Sequence, residues 1–340
     1  MTAIAHMIDH LEFGGVNRNL DTLLAHMPDV TQIRHVVSPR TSLPPVVPAG
    51  QLVAIHWSVS WSRMPHLAAL RAMRGKAPIV IVEHSFTESY EKYAASQMKF
   101  RAMLRMAYSF ADRVVAVSHG QGAWLRGAGI IDPKKVYVIP SSTDCAPLET
   151  IPFPKRRGPC AEPLKIGAYG RYTEQKGFGN LIRAMRELPP GLASLTLAGV
   201  GPYEAQLKAM AGDLPNVTVG GPTLDVRGFL AGFDLVAVPS RWESFGQVAL
   251  EARSAGRPLI CSAVDGLVEQ TGDAWGWLVP EDDIPALSRA IRAANVADLA
   301  TMGQAARWSA EGHLDMSLDA WRHLAAGLLK APTAMNSKAA

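Results

Sequence analysis

The sequence predicts an α/β protein built from two doubly wound domains, and three observations carry that prediction. Short apolar runs rich in Val and Ile recur along the chain, among them residues 79–82, 114–117, 136–139, 164–168, 195–198, 235–238 and 259–261. The runs are continuous instead of alternating, the pattern of parallel strands covered by helices on both faces. At 340 residues the chain is too long for one ordinary core and suits two of roughly 150 residues each. The stretch from Pro140 to Pro163 inclusive holds six prolines, a basic triplet and no periodicity, which marks a division between the two domains.

The expected division is a first domain at 1–150, a proline-rich linker at 151–163 and a second domain at 164–315. A C-terminal helix at 316–330 would pack back on the first domain, and 331–340 reads as a disordered tail. Residues 38–50 hold four prolines and read as a loop inside the first domain. Two such domains would face one another across a cleft, with ligands at the carboxyl ends of the strands.

Composition narrows the function. Hydrophobic residues make up 48% and charged residues 19%, as in a globular protein with a large interior. The net charge of +4 favours anionic ligands or an anionic membrane surface and is too small to argue for nucleic acid. The N-terminus lacks a basic signal-peptide start, and no apolar run approaches the roughly 18 residues that span a bilayer. Cys145, Cys160 and Cys261 lack metal-ligand spacing and fit free thiols in a reducing compartment. A cytoplasmic location is expected.

Three glycine- and charge-bearing segments follow strands. The first is Glu243-Ser-Phe-Gly-Gln-Val-Ala-Leu-Glu251, after the run at 234–240 and opening a helix at 247–254. Ser244 and Gly246 fall where free N–H groups and the helix dipole favour anions. Glu251 lies further along the same helix, and a rise over eight residues sets the two carboxylates about 12 Å apart at most, offset by roughly 80°. Two acceptors so spaced suit a long ligand with hydroxyls at both ends, although an isolated pair of glutamates is more often two solvated carboxylates. The second segment is Gly170-Arg-Tyr-Thr-Glu-Gln-Lys-Gly177. Arg171 as a forked donor and Lys176 as a point charge suit two phosphates; a solvated basic loop is the plainer alternative. The third, Glu12-Phe-Gly-Gly-Val-Asn-Arg-Asn19, sets Gly14 and Gly15 between a strand at 4–8 and a helix running to about His26. It lacks the full dinucleotide fingerprint, which disfavours nicotinamide and flavin.

Eight of ten histidines precede residue 120, and His56 and His84 fall at strand ends. A satisfied structural histidine is the commoner reading of either alone. No pair has zinc spacing, no nucleophile elbow is present, and Glu281-Asp-Asp283 reads as a helix cap.

Together these segments resemble family 4 of the retaining glycosyltransferases, whose GT-B fold pairs two Rossmann-like domains. The resemblance runs in the family order through Gly14-Gly15, Val138-Ile-Pro140, Gly170-Arg171 with Lys176-Gly177, Val238-Pro-Ser240, Glu243-Ser-Phe-Gly246, Leu250-Glu-Ala252 and Gly256-Arg-Pro258. It implies that Glu243 lies by the donor sugar, that Glu251 holds the ribose hydroxyls, and that amides near Ser244, Phe245 and Gly246 line the sugar site. It further implies that Arg171 and Lys176 grip the diphosphate, that His84 contacts the sugar near the reacting carbon, and that Gly14-Gly15 closes over a substrate. Two departures stand out: Pro140-Ser-Ser-Thr-Asp144 loses an asparagine and a glycine, and Asp265-Gly-Leu-Val-Glu269 keeps one of two glycines.

The implied activity is metal-independent transfer of a hexose-type sugar, with retention, from a UDP- or GDP-sugar to a hydroxyl of a lipid-linked or polysaccharide precursor. No cofactor is expected. Charge near residues 90–110 among Tyr93, Phe100, Met103 and Met106 suggests peripheral attachment to an anionic membrane, with an ordinary domain helix as the alternative. A nucleotide-sugar 2-epimerase of the same fold and a non-catalytic two-domain sugar-binding protein are the rival readings.

Overall fold

The structure, a computed structural model, describes residues 3–9, 14–37 and 50–330, the side chain of Lys330 excepted. Residues 38–49 of the loop expected at 38–50, residues 10–13 beside Gly14 and the expected tail at 331–340 lie outside the described residues.

The chain forms two compact units: Met1–Phe86, Glu91–Ser141 and Leu314–Ala340 make the first, Thr87–Tyr90 and Ser142–His313 the second. The first holds six parallel strands: β1 (Ala3–Ile8), β2 (Thr31–Val36), β3 (Gln51–Ile55), β4 (Ile79–Glu83), β5 (Arg113–Ala116) and β6 (Val136–Val138). Their order across the sheet is β2-β1-β3-β4-β5-β6. The second unit holds β7 (Leu164–Tyr169), β8 (Ala193–Ala198), β9 (Val217–Gly220), β10 (Leu235–Val238), β11 (Leu259–Ser262) and β12 (Gly276–Val279), ordered β12-β11-β10-β7-β8-β9.

Continuous apolarity is what makes the inner strands. All five residues of β4 and all four of β10 and β11 are buried, so each strand is sealed on both faces. Register is fixed across the second sheet by pairings such as Leu235 with Ile166 and Val236 with Leu259. In each sheet the strand order reverses at one place, between β1 and β3 in the first and between β7 and β10 in the second. Loops diverge there and leave a crevice at the carboxyl ends of the strands.

The stretch read as a linker at 151–163 belongs to the second unit and is held by the guanidinium groups of two arginines. Arg257, 2% exposed, donates to the carbonyls of Leu230 (2.9 Å) and Pro152 (2.6 Å). Arg307 donates to the carbonyl of Ile151 at 2.5 Å and stacks on Phe153, 4.2 Å from its ring centre. Proline removes amide donors, and guanidinium groups satisfy the carbonyls left over, so the segment packs without any periodicity. The helix His313–Lys330 contributes Ser317, whose hydroxyl donates to the carbonyl of Pro140 at 2.8 Å, and the buried Trp321, both in the first unit.

Candidate functional site

In the second unit the loops after β7 and β10, on either side of the strand-order reversal, carry the expected cations and carboxylates. Gly177 has φ +64°, and a Cβ there would lie 1.9 Å from the carbonyl oxygen of Pro239, so only glycine lets the two loops close on each other. They are joined by an ion pair: Lys176 Nζ lies 2.5 Å from Glu243 Oε2, with the Ser240 hydroxyl 3.4 Å from the same oxygen. Arg241 N donates to the carbonyl of Gln175 at 2.8 Å, and the Arg241 guanidinium ties Glu174 to Asp282. Arg171 is exposed, and its guanidinium has no hydrogen-bond or ion-pair partner among the described residues.

The helix bearing Glu251 runs Gln247–Ser254, and Glu243 stands outside it. Gly246, at its N-cap, takes φ +96°, a left-handed turn that redirects the chain, so the helical spacing expected between Glu243 and Glu251 does not apply. No side chain caps this helix, which leaves its N-terminal dipole facing the loop that carries Ser244. Phe245 is 2% exposed and stacks on His313 with ring centres 5.4 Å apart, so only its backbone borders the loop surface. Glu251 is buried and accepts a 2.5 Å hydrogen bond from the Tyr169 hydroxyl at the end of β7.

Asp265 was absent from the expected site and organises it. Its carboxylate accepts from Glu243 N at 3.2 Å and from Ser89 N at 3.0 Å, and burial pushes its pKa up. It sits at φ +40°, at the position where the family pattern has a glycine. A non-glycine residue in that region is strained, and two backbone hydrogen bonds hold it there. Behind the Arg171 loop, Gly199 and Gly201 were also missed. A Cβ on Gly199 would lie 1.9 Å from the carbonyl oxygen of Gly170, and one on Gly201 2.4 Å from that of Tyr172. The signal was a Gly-Val-Gly at a strand end.

In the first unit, His84 follows β4, and its turn is fixed by Glu83, which accepts from Ser85 N (2.8 Å), Phe86 N (3.0 Å) and the Tyr108 hydroxyl (2.8 Å). His84 Nε2 lies 3.0 Å from His56 Nδ1, and His56 Nε2 lies 3.0 Å from His6 Nδ1. Burial lowers the pKa of His6 and of His84 to about 4 and that of His56 well below its usual value. Gly14 caps the helix Gly15–His26 in an extended conformation that any residue adopts, and no side chain caps that helix. Among the described residues no group of three or more His, Cys, Asp or Glu side chains is placed to hold a metal ion. No helix among them is long and apolar enough to cross a membrane.

Comparison with known proteins adds two family matches. Residues 33–146 match Glycosyltransferase Family 4, and residues 163–294 match Glycosyl transferases group 1. The chain is 33% identical over 187 residues to the amylovoran biosynthesis glycosyltransferase AmsK of Erwinia amylovora, covering 50% of this chain and 46% of that one. It is 32% identical over 176 residues to a D-inositol 3-phosphate glycosyltransferase of Actinosynnema mirum, covering 46% and 42%. The matched part thus spans about half the length of these relatives or a little less. Among solved structures, HepE of Anabaena in complex with UDP and glucose superposes with a TM-score of 0.73 at 18% identity, covering 96% of this chain and 100% of that one. Sucrose-phosphate synthase of Thermosynechococcus elongatus gives 0.72 at 22% identity over 96% and 100%. At such identities the likeness establishes the fold, which is GT-B.

Proposed function

Because the chain belongs to the family 4 glycosyltransferases, we propose that it transfers a hexose-type sugar, with retention, from a nucleoside-diphosphate donor to a hydroxyl of an envelope glycan or polysaccharide precursor. The observation that carries this reading is the pair of loops at the β7/β10 reversal. They hold an unpartnered guanidinium on Arg171 and the Lys176–Glu243 pair beside an uncapped helix N-terminus. Similarity to AmsK, named for amylovoran biosynthesis, supports the glycan assignment, and the HepE complex supports a UDP-linked donor, with a GDP-linked donor as the second candidate.

Negative charge builds on the diphosphate as the glycosidic bond breaks. In this proposal Arg171 binds it bidentately, and Lys176 exchanges Glu243 for a phosphate oxygen. The Gln247–Ser254 helix dipole adds to both, so the leaving group is stabilised without a metal. Glu243, released from Lys176, faces the donor sugar. Glu251, oriented by Tyr169, takes the ribose hydroxyls. His84 contacts the sugar near the reacting carbon, and the loop at Gly14-Gly15 covers a substrate. The acceptor hydroxyl attacks the face the leaving group departs from, which retains configuration.

A cytoplasmic site at the inner face of an anionic membrane fits the helix Gln97–Ser109. Its exposed side carries Met98 (78% exposed) and Met106 (46%), with Lys99 and Arg105 to either side. Co-sedimentation with vesicles rich in anionic lipid, lost in Met98→Asp, is the expected result; no sedimentation removes this attachment.

The activity test is release of nucleoside diphosphate and labelled glycan. Arg171→Ala and Lys176→Ala should each lower turnover by roughly 10², the effect of losing one donor to a developing oxyanion. Chelation of divalent metal should leave the rate unchanged. Near-wild-type turnover in either variant removes the leaving-group role.

A further inference from the structure

Arg253, on the helix Gln247–Ser254 of the second unit, is 5% exposed, and none of its partners among the described residues is a carboxylate. Its Nη1 donates to the carbonyl and the hydroxyl of Ser309 at 3.0 and 3.1 Å, and its Nη2 donates to Oε1 of Gln270. Gln270 is 1% exposed, and the Trp275 indole pins its backbone by donating to its carbonyl at 3.1 Å. Gln270 Nε2 in turn donates to the carbonyl of Phe245 at 3.5 Å. No other group among the described residues donates to that carbonyl.

Only one arrangement of these groups is consistent. A guanidinium has five N–H donors and no acceptor. Burial lowers the pKa of Arg253 to about 10, which leaves it charged at neutral pH. The Gln270 amide must therefore turn its oxygen to Arg253 and its NH₂ to the Phe245 carbonyl. A trans peptide points its C=O and N–H in opposite directions. A Phe245 carbonyl held on Gln270 thus turns the Gly246 N–H to the other side, where it has no partner among the described residues. Burying a cation without a counter-charge is costly. An apolar residue in its place would cost less and would leave the Gln270 amide free to turn over.

We infer that Arg253 and Gln270 are positioning residues that hold the Phe245–Gly246 peptide in one orientation, so that the Gly246 N–H donates to a hydroxyl of the donor sugar. The sugar contact rests on the reading of this loop as the donor site; the orientation of the peptide does not.

The test replaces Gln270 by a carboxylate. Gln270→Glu keeps the bond to Arg253, stays ionised beside that cation and supplies the missing counter-charge, so it should unfold no more easily than the wild type. It also sets an oxygen against the Phe245 carbonyl, and two acceptors cannot share a hydrogen bond. In the full chain labelled with ¹³C′-Phe and ¹⁵N-Gly, only Phe13–Gly14, Phe178–Gly179 and Phe245–Gly246 give a coupled peptide signal, and single Phe→Leu replacements assign them. The Phe245–Gly246 signal should move in Gln270→Glu while the other two stay. By calorimetry UDP-glucose should bind the variant about tenfold more weakly, the loss of one hydrogen bond, while UDP keeps its wild-type affinity. An unmoved Phe245–Gly246 signal overturns the inference. Equal weakening of UDP and UDP-glucose, or undiminished UDP-glucose binding by a variant whose signal has moved, overturns the sugar contact. A wild type that binds neither ligand contradicts the UDP-donor reading instead, and the peptide signal still decides the role of Arg253 and Gln270. If Gln270→Glu does not fold, Gln270→Met removes the NH₂ without adding charge and is read in the same way.

Discussion

Of the residues read from the sequence, Lys176 and Glu243 form the most informative pair. Both were expected near the donor, and the structure ties them to each other at 2.5 Å. Donor binding must then break an ion pair before a phosphate takes its place. Glu243→Gln, which frees Lys176, should bind nucleoside diphosphate more tightly than the wild type while turning over more slowly, read by calorimetry and by steady-state rate. Weaker binding in that variant would contradict the exchange. Asp265 shows what sequence alone conceals: its backbone sits at φ +40° and its carboxylate holds two amides. Asp265→Ala keeps the strain and loses both bonds, so it should cost about 2–3 kcal/mol. Asp265→Gly loses the same bonds and relieves the strain, so it should cost about 1 kcal/mol less in urea unfolding. Equal costs would show that the left-handed backbone is unstrained.

Legibility of the elements followed burial. Strands sealed on both faces read as continuous apolar runs. The three that did not stand out, β2, β9 and β12, all lie at sheet edges and show mixed exposure, so solvent relaxed the composition that would have marked them. The Gly170 and Gly177 signals were visible, but why Gly177 is required was not, because the obstacle is a carbonyl 62 residues away at Pro239. Gly177→Ala should destabilise the second unit by about 2 kcal/mol or more, combining left-handed strain with that clash. Gly191→Ala, at φ +78° with open space around it, should cost only about 1 kcal/mol. Matching thermal shifts would mean that the loops part freely.

The strand-end histidines make a prediction about acid. Folding lowers their pKa values, to about 4 for His6 and His84 and well below the usual value for His56. Below pH 6.5 the unfolded chain therefore binds more protons than the folded one, and stability falls as pH drops from about 6.5 towards 4. Each histidine contributes a slope of roughly 1.4 kcal/mol per pH unit within that window. Urea unfolding of the first unit should be clearly easier at pH 5.5 than at 7.5. Equal midpoints would mean that these rings are protonated in the fold.

At the scale of the molecule, each unit is a complete doubly wound sheet with its own point of strand-order reversal, and each matches a family description separately. The fold was legible because it repeats one rule, apolar strand then covering helix, twice. The segment at 142–163 was not, because arginines distant in sequence satisfy its carbonyls, and such pairings leave no local pattern. Glu251 likewise read as a helix carboxylate of either solvent or site; its buried bond to Tyr169 depends on two strands meeting at the reversal.

The central claim is that the second unit grips a nucleoside diphosphate through Arg171 and Lys176. Thermal unfolding of the full chain with UDP, GDP or ADP tests it most directly. One of the three, at 100-fold its dissociation constant, should stabilise the protein by about 2.7 kcal/mol, and the Arg171→Ala, Lys176→Ala double variant should lose that gain. Stabilisation by none of them, or an undiminished gain in the double variant, would contradict the account.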